Sequence, residues 1–231
     1  MEDSLRTETC TYNRLLPTAR LVELTWGNAS AMSADRKYVY IKPSGVDYAT
    51  LAPEHICKLS FPDGALQGGE LKPSTDTIIH LHLYRAFAEV YGIIHTHSPW
   101  ATIFAQSGKP IPVLGTTHAD CFRTEIPCTA ALTQEEIATP EYEINVAKSI
   151  VRVFEHFDCR ETGAVLVRHH GVFVWGRTLA QAYENAVTVE QCAFMAWHSL
   201  QLGLADIIPP SLVDRHFFRK HGVKAYYGQK S

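Results

Sequence analysis

Two apolar runs constrain this chain most. Ala164-Val165-Leu166-Val167 and Val172-Phe173-Val174-Trp175 are separated only by Arg168-His169-His170-Gly171. Each run is too short for a helix and rich in residues that favour a pleated, packed surface, so both read as strands flanking a His-Gly turn. Tyr38-Val39-Tyr40-Ile41 is a further strand, ended by Pro43-Ser44-Gly45, and Ile56 to Phe61 another, closed by Pro62-Asp63-Gly64. Ile93-Ile94 leads a strand through His95 and His97. Helical patterning falls between these runs. Residues 4–16 form a first, weakly periodic helix. Ser74 or Thr75 caps a helix carrying Ile79, Leu83, Phe87 and Val90. Ser98-Pro99 reads as N-cap and first helical position for Trp100 to Gln106. Ile144, Ala147, Val151 and Phe154 mark another helix, Thr178 caps a long one to about Leu202, and a short one lies near 211–220. The mixture has no strict βαβ rhythm, so an α+β or α/β layered sheet is expected. No repeat or long linker interrupts it, and one domain over residues 1–231 is expected.

Composition narrows the function. Hydrophobic residues are 46% of the 231, enough for a core. Lys+Arg is 21 against Asp+Glu 24, a net charge of -3, which disfavours a nucleic-acid partner, because neutralising phosphates needs an excess of positive charge. No run approaches the ~18 apolar residues of a membrane span. The polar start, Met1-Glu2-Asp3-Ser4-Leu5-Arg6, has no apolar core of a secretory signal. The 6 cysteines include no C-x-x-C pair and read as reduced thiols in a cytoplasm. The 12 histidines direct attention to metal and proton chemistry.

Residues two apart on a strand share a face, so His95 and His97 can reach one ion. A further ligand must come from elsewhere. One of His169 and His170 is a candidate, with Gly171 allowing a sharp turn. Histidines satisfied by backbone carbonyls would give the same pattern. Asp76 suits the first turn of a helix as well as it suits a metal. Lys42-Pro43-Ser44-Gly45 joins a cation, a hydroxyl and a glycine turn, a group able to hold phosphate. Ser74 and Thr75 at a helix N-terminus make a second anion-friendly spot, and Gly27-Asn28 offers an amide in a turn. Each is also ordinary turn chemistry. Thr116, His118 and Asp120 alternate and line one wall if this stretch is extended; Asp120 is then a proton carrier or a solvated loop acid. Tyr226-Tyr227 near the C-terminus suggests a docked tail, with His216 and His221 before it. No Gly-x-Gly dinucleotide fingerprint is present.

Taken in order, these pieces resemble the class II aldolase/epimerase family, in its C4-epimerising branch, over almost the whole chain. The matching residues are Thr25-Trp26-Gly27-Asn28 with Ser30, Ile41-Lys42-Pro43-Ser44-Gly45-Val46-Asp47-Tyr48, and Lys72-Pro73-Ser74 with Asp76-Thr77. They continue through His95-Thr96-His97-Ser98, Gly115-Thr116-Thr117-His118-Ala119-Asp120, His170-Gly171, Arg219-Lys220-His221-Gly222 and Lys224-Ala225-Tyr226-Tyr227-Gly228-Gln229. The resemblance implies an α/β fold, a layered α/β/α domain with a central, mostly antiparallel sheet. It implies one catalytic Zn2+ per subunit on His95, His97 and His170, with Asp76 at the metal. Aldolase members carry Glu at that acid. It implies phosphate contacts from Asn28, Lys42, Ser44, Gly45, Ser74 and Thr75. It also implies a proton-transfer pair, Asp120 and Tyr227, given across a subunit boundary of a cyclic homotetramer, with His216 nearby. Three positions depart from the pattern: Thr75 stands where Ser is usual, His169 replaces a smaller polar residue, and Cys121 stands where an aromatic is usual.

The activity so implied inverts C4 of a phosphorylated ketopentose, interconverting L-ribulose 5-phosphate and D-xylulose 5-phosphate by a zinc-assisted retro-aldol and aldol sequence. Both L-arabinose and L-ascorbate breakdown pass through that substrate. The alternative is a sugar-phosphate aldolase of the same family.

Overall fold

The structure is a computed structural model and describes residues 2–203, 206–221 and 225–226. Its centre is a sheet of six strands, β1 (Asn28–Met32), β2 (Tyr38–Ile41), β3 (Cys57–Ser60), β4 (Gly92–Thr96), β5 (Ala164–Val167) and β6 (Gly171–Gly176), in the order β3-β2-β1-β4-β6-β5. Every neighbouring pair is antiparallel. The helices are α1 (Glu2–Thr18), α2 (Thr77–Ala86), α3 (Pro99–Ser107), α4 (Thr116–Ala119), α5 (Gln134–Ala138), α6 (Tyr142–Val153), α7 (Leu179–Gln201) and α8 (Pro210–Lys220).

The strand period of two divides the apolar residues between two covered faces. Ile94, Ala164, Leu166, Val172 and Val174 pack with Leu16 of α1, Phe104 of α3 and Val189 of α7. Ile93, Val165, Val167, Phe173 and Trp175 face the other way, onto Ile79, Leu83 and Tyr84 of α2 and Val146 and Ile150 of α6. Fully burying one such side chain stabilises by roughly 1.5–3 kcal/mol. A helix layer on each side is therefore what two apolar faces require, and the layered α/β/α arrangement follows.

Local signals decide several ends. Thr178 accepts a bond from the Gln181 N–H at 3.1 Å and starts α7. Ser98-Pro99 starts α3, and Gly108, at φ 68, ends it. Three expectations need correction. The helix after Ser74 has Asp76, not Ser74 or Thr75, at its N-cap and begins at Thr77, because the Ser74 carbonyl accepts from both the Thr77 N–H and its hydroxyl and closes a turn first. Residues 116–119 are helical rather than extended, since the Gly115 and Thr116 carbonyls accept from Ala119 and Asp120. Asn28 is not in a turn but opens strand β1, which sequence patterning misses because Ala29, Ser30 and Ala31 are too small to read as a strand.

Candidate metal and phosphate site

The site lies where β1, β4 and β6 run side by side. In the ladder His95 of β4 faces Asn28 of β1 on one side and Phe173 of β6 on the other. The Phe173 ring stacks on His95 with centroids 4.3 Å apart. The Nδ1 of His95 lies 3.1 Å from the Val172 carbonyl. A carbonyl only accepts, so Nδ1 carries the hydrogen and Nε2 presents its lone pair. That Nε2 lies 3.1 Å from Nε2 of His97, the residue just past the end of β4.

The third imidazole comes from the β5–β6 turn. His169 takes the left-handed conformation there, at φ 62, and this lets His170 swing its ring onto the pair. The His170 ring centroid is 4.7 Å from that of His95 and 4.9 Å from that of His97. Gly171 is not needed for backbone freedom; it is needed for space, because a Cβ there would lie 2.5 Å from the Thr96 carbonyl oxygen and 3.0 Å from the His97 ring.

The donor atoms of His95, His97 and His170 all lie within 4.8 Å of one another. Burial pushes the His95 pKa down to about 3 and holds those of His97 and His170 below the ordinary value, so all three are neutral and able to donate. His170 Nδ1 is buried with no hydrogen-bond partner. The trio fits a divalent cation of the kind imidazole binds. Asp76 Oδ2 is 4.0 Å from His95 Nε2, beside the trio.

Asp76 is the N-cap residue of α2, yet its side chain does not cap. Instead Oδ2 accepts from Asn28 Nδ2 at 2.8 Å, and the same amide nitrogen donates to Ser74 Oγ at 3.0 Å. Asn28 thus ties Asp76, beside the histidine cluster, to Ser74 of the proposed phosphate residues. Those residues are gathered by a short antiparallel contact of two loops. The Ser44 N–H donates to the Lys72 carbonyl at 2.9 Å and the Ser74 N–H to the Lys42 carbonyl at 3.1 Å. Ser44, Gly45 and Thr75 are exposed at this rim. Gly45 turns at φ 69, a conformation that favours glycine. Lys42 is buried at 1% exposure, with Nζ 3.3 Å from the Pro43 carbonyl and 4.7 Å from the centre of the Tyr48 ring. Burial lowers its pKa, opposed by Asp47.

Asp120 and His216 sit together in a separate group. Asp120 Oδ1 accepts from Arg219 Nε at 2.9 Å and lies 2.9 Å from His216 Nδ1, while Oδ2 accepts from Arg219 Nη2 at 2.7 Å. Burial raises the Asp120 pKa, but the Arg219 and His216 bonds and the Lys220 charge outweigh it and hold the carboxyl below its usual range. Tyr227 lies outside the described residues.

Sequence reasoning missed a buried polar chain under the site. Ser30 Oγ is 2.7 Å from His80 Nδ1 and 2.9 Å from the Tyr84 hydroxyl. Asp76, His80 and Tyr84 recur every fourth residue on one face of α2, a spacing that would have revealed them.

A gathered imidazole trio beside the Lys42 and Ser74 loops, on this sheet, can be set against known proteins. The class II aldolase and adducin N-terminal domain matches residues 7–197. The chain belongs to the class II aldolase family. L-ribulose-5-phosphate 4-epimerase UlaF of Salmonella paratyphi B is 44% identical over 219 residues, 94% of this chain and 95% of that protein. Among solved structures, an L-fuculose 1-phosphate aldolase superposes with a TM-score of 0.78 at 24% identity, covering 92% of this chain and 94% of its own. L-fuculose 1-phosphate aldolase from Glaciozyma antarctica PI12 superposes with a TM-score of 0.77 at 14% identity, covering 97% and 84%. At these identities the two structures bear on the fold, which this class II aldolase chain shares. No helix among the described residues is long and apolar enough to cross a membrane.

Proposed function

We propose that this chain acts as one catalytic domain over residues 1–231 and interconverts L-ribulose 5-phosphate and D-xylulose 5-phosphate. The observation that carries the reading is the Asn28 bridge, which hydrogen-bonds both Ser74 of the rim and Asp76, whose carboxylate lies 4.0 Å from His95 of the imidazole trio. A metal ligand set and an anion rim held at a fixed spacing suit a short substrate with a carbonyl near one end and a phosphate at the other. The 44% identity to an epimerase over nearly the whole chain supports the same substrate.

The C4 proton of a 2-ketopentose phosphate is not adjacent to the carbonyl and is too weakly acidic to remove. Breaking C3–C4 is easier, because the electron pair delocalises into the carbonyl. The C4 hydroxyl proton leaves as that bond breaks, giving the enediolate of dihydroxyacetone and glycolaldehyde phosphate. Rotation of the aldehyde and re-addition on its other face inverts C4. His95, His97 and His170 would hold Zn2+, with Asp76 beside it. Bound there, Zn2+ supplies Lewis-acid stabilisation of the negative charge that collects on the carbonyl oxygen. Asn28 holds Asp76 toward the trio. Lys42, Ser44, Gly45, Ser74 and Thr75 grip the phosphate through the rotation and keep the aldehyde from escaping. Asp120 and Tyr227 carry the protons on the two faces, each given to a neighbouring subunit's site in a homotetramer. His216 and Arg219 hold the Asp120 carboxylate in place.

The test is incubation of the zinc-loaded protein with L-ribulose 5-phosphate. D-xylulose 5-phosphate as the main product is expected. Net release of glycolaldehyde phosphate would reject the epimerase in favour of an aldolase.

A further inference from the structure

We propose that Glu190 is a positioning residue for His97, a ligand of the metal site proposed above, and the inference rests on that reading. Glu190 lies on α7 at 6% exposure, buried against the start of α3. Its Oε1 accepts from the Trp100 N–H and its Oε2 from the Ala101 N–H, each at 2.9 Å. These are the second and third residues of α3. The free N–H groups of a helix start are normally met by the N-cap side chain. Here the N-cap is Ser98, whose hydroxyl makes no cap bond and accepts instead from Thr96 Oγ1 at 3.3 Å. A carboxylate from a distant helix does the work of the cap, by two charge-assisted bonds aligned with the helix dipole.

The consequence falls on His97. The β4–β6 ladder ends at the pair Thr96 and Val172. Helix α3 is capped at Ser98. His97 is the single residue between, held by the sheet on one side and by the start of α3 on the other. His95 has its Nδ1 fixed by the Val172 carbonyl. The hydrogen bond found for the His97 ring, among the described residues, runs to His95 itself. The His97 imidazole therefore takes its place from its backbone, and that backbone depends on where Glu190 seats α3. Glutamine at 190 would keep the length but offer one acceptor, and would turn an NH2 toward a backbone N–H.

The experiment compares Zn2+ affinity of the purified full-length chain, by competition with a chromophoric chelator, for the wild type, Glu190→Gln and Leu16→Ala. Leu16 is a buried core residue on α1, makes no bond to the start of α3, and serves to lower stability. Thermal melts of the metal-free proteins run beside it, and the visible spectrum of the Co2+-substituted forms reports ligand geometry. Glu190→Gln should bind Zn2+ about 10-fold more weakly, the low end of the range for losing an outer partner of a ligand, because Glu190 reaches His97 only through the backbone, and should show an altered Co2+ spectrum. Leu16→Ala should lose melting temperature and keep its affinity within about twofold, since it removes packing only. Glu190→Gln binding within twofold of wild type, with an unchanged Co2+ spectrum, overturns the inference and leaves Glu190 as a helix cap alone. Equal weakening in Leu16→Ala also overturns it, because affinity would then follow global stability. If Glu190→Gln does not fold, Glu190→Asp, which retracts the carboxylate, is read against the same limits. A wild type that binds no divalent ion overturns the metal reading and this inference together.

Discussion

Replacing Gly171 by alanine tests whether the trio depends on close approach of the β5–β6 turn to the end of β4. The new methyl carbon would lie 2.5 Å from the Thr96 carbonyl oxygen, 3.0 Å from His97 Cδ2 and 3.4 Å from His95 Cε1. Both histidines meet it at the rim of the site, and the nearest atom belongs to backbone inside a sheet, which yields little. To restore an ordinary contact, the start of β6 must retreat by roughly 0.9 Å, from 2.5 to about 3.4 Å. His170 precedes that residue and moves with it. Overpacking of this kind costs about 1–3 kcal/mol. At this chain length each kcal/mol lowers the melting temperature by about 2–4 °C. A ligand displaced by nearly 1 Å should cut turnover about 100-fold. The assays are a thermal melt, Zn2+ competition with a chromophoric chelator, and epimerase turnover. Gly115→Ala is the comparison, because a Cβ there meets nothing within 4 Å and its φ of -156 is extended backbone. Its melting temperature and Zn2+ affinity should stay near wild type. A Gly171→Ala protein with unchanged melting temperature, metal affinity and turnover would refute the reasoning.

Three further outcomes are expected. His97→Asn should lose metal and activity together, and elemental analysis showing full zinc occupancy in the variant would remove His97 from the ligand set. Asp120→Asn should keep its metal but turn over at least about 100-fold more slowly, as loss of a proton carrier does; unchanged turnover would leave Asp120 as a tie between α4 and α8. Burial pushes the His118 pKa down to about 4, against the bond its Nε2 makes to the Thr124 carbonyl. The unfolded chain then binds a proton that the folded one refuses, so stability is fully present above pH 6.5 and is lost as pH falls toward 4, by about 3 kcal/mol. Urea titrations of wild type and His118→Gln at pH 7 and pH 4.5 check this: the wild type should lose more stability than the variant over that interval, and parallel losses would show that His118 is not responsible.

Much of the scaffold was legible from local order alone. The runs at 164–167 and 172–175 were too apolar and too short for anything but covered strands, and Thr178 and Ser98-Pro99 announced their helices because capping is chemistry within a few residues. Legible too was the list of chemically able residues: His95 and His97 two apart at the end of a strand, although the strand stops at Thr96, the Lys42 turn, and the acids at 76 and 120. The strand β1 escaped because Ala29 and Ala31 carry no pattern; they are buried only because β2 and β4 close on either side. The conformation of the stretch holding Asp120 stayed open, since alternation of polar residues cannot tell a strand from one turn of helix.

Local sequence also could not choose between His169 and His170, nor decide that Gly171 serves space rather than flexibility. Both were settled by the approach of the β5–β6 turn to Thr96, a contact between residues some seventy-five positions apart. Tertiary structure alone joined Asn28 to Asp76 and Ser74, brought Glu190 to the start of α3, and assigned Asp120 to α8 rather than to the imidazoles. The sequence by itself determined which groups can bind a cation, hold an anion or carry a proton, because that is a property of each side chain. Which of them act at one point in space was decided by sheet register and helix packing, because distances between remote residues are set by the sum of all contacts and by no single stretch of chain.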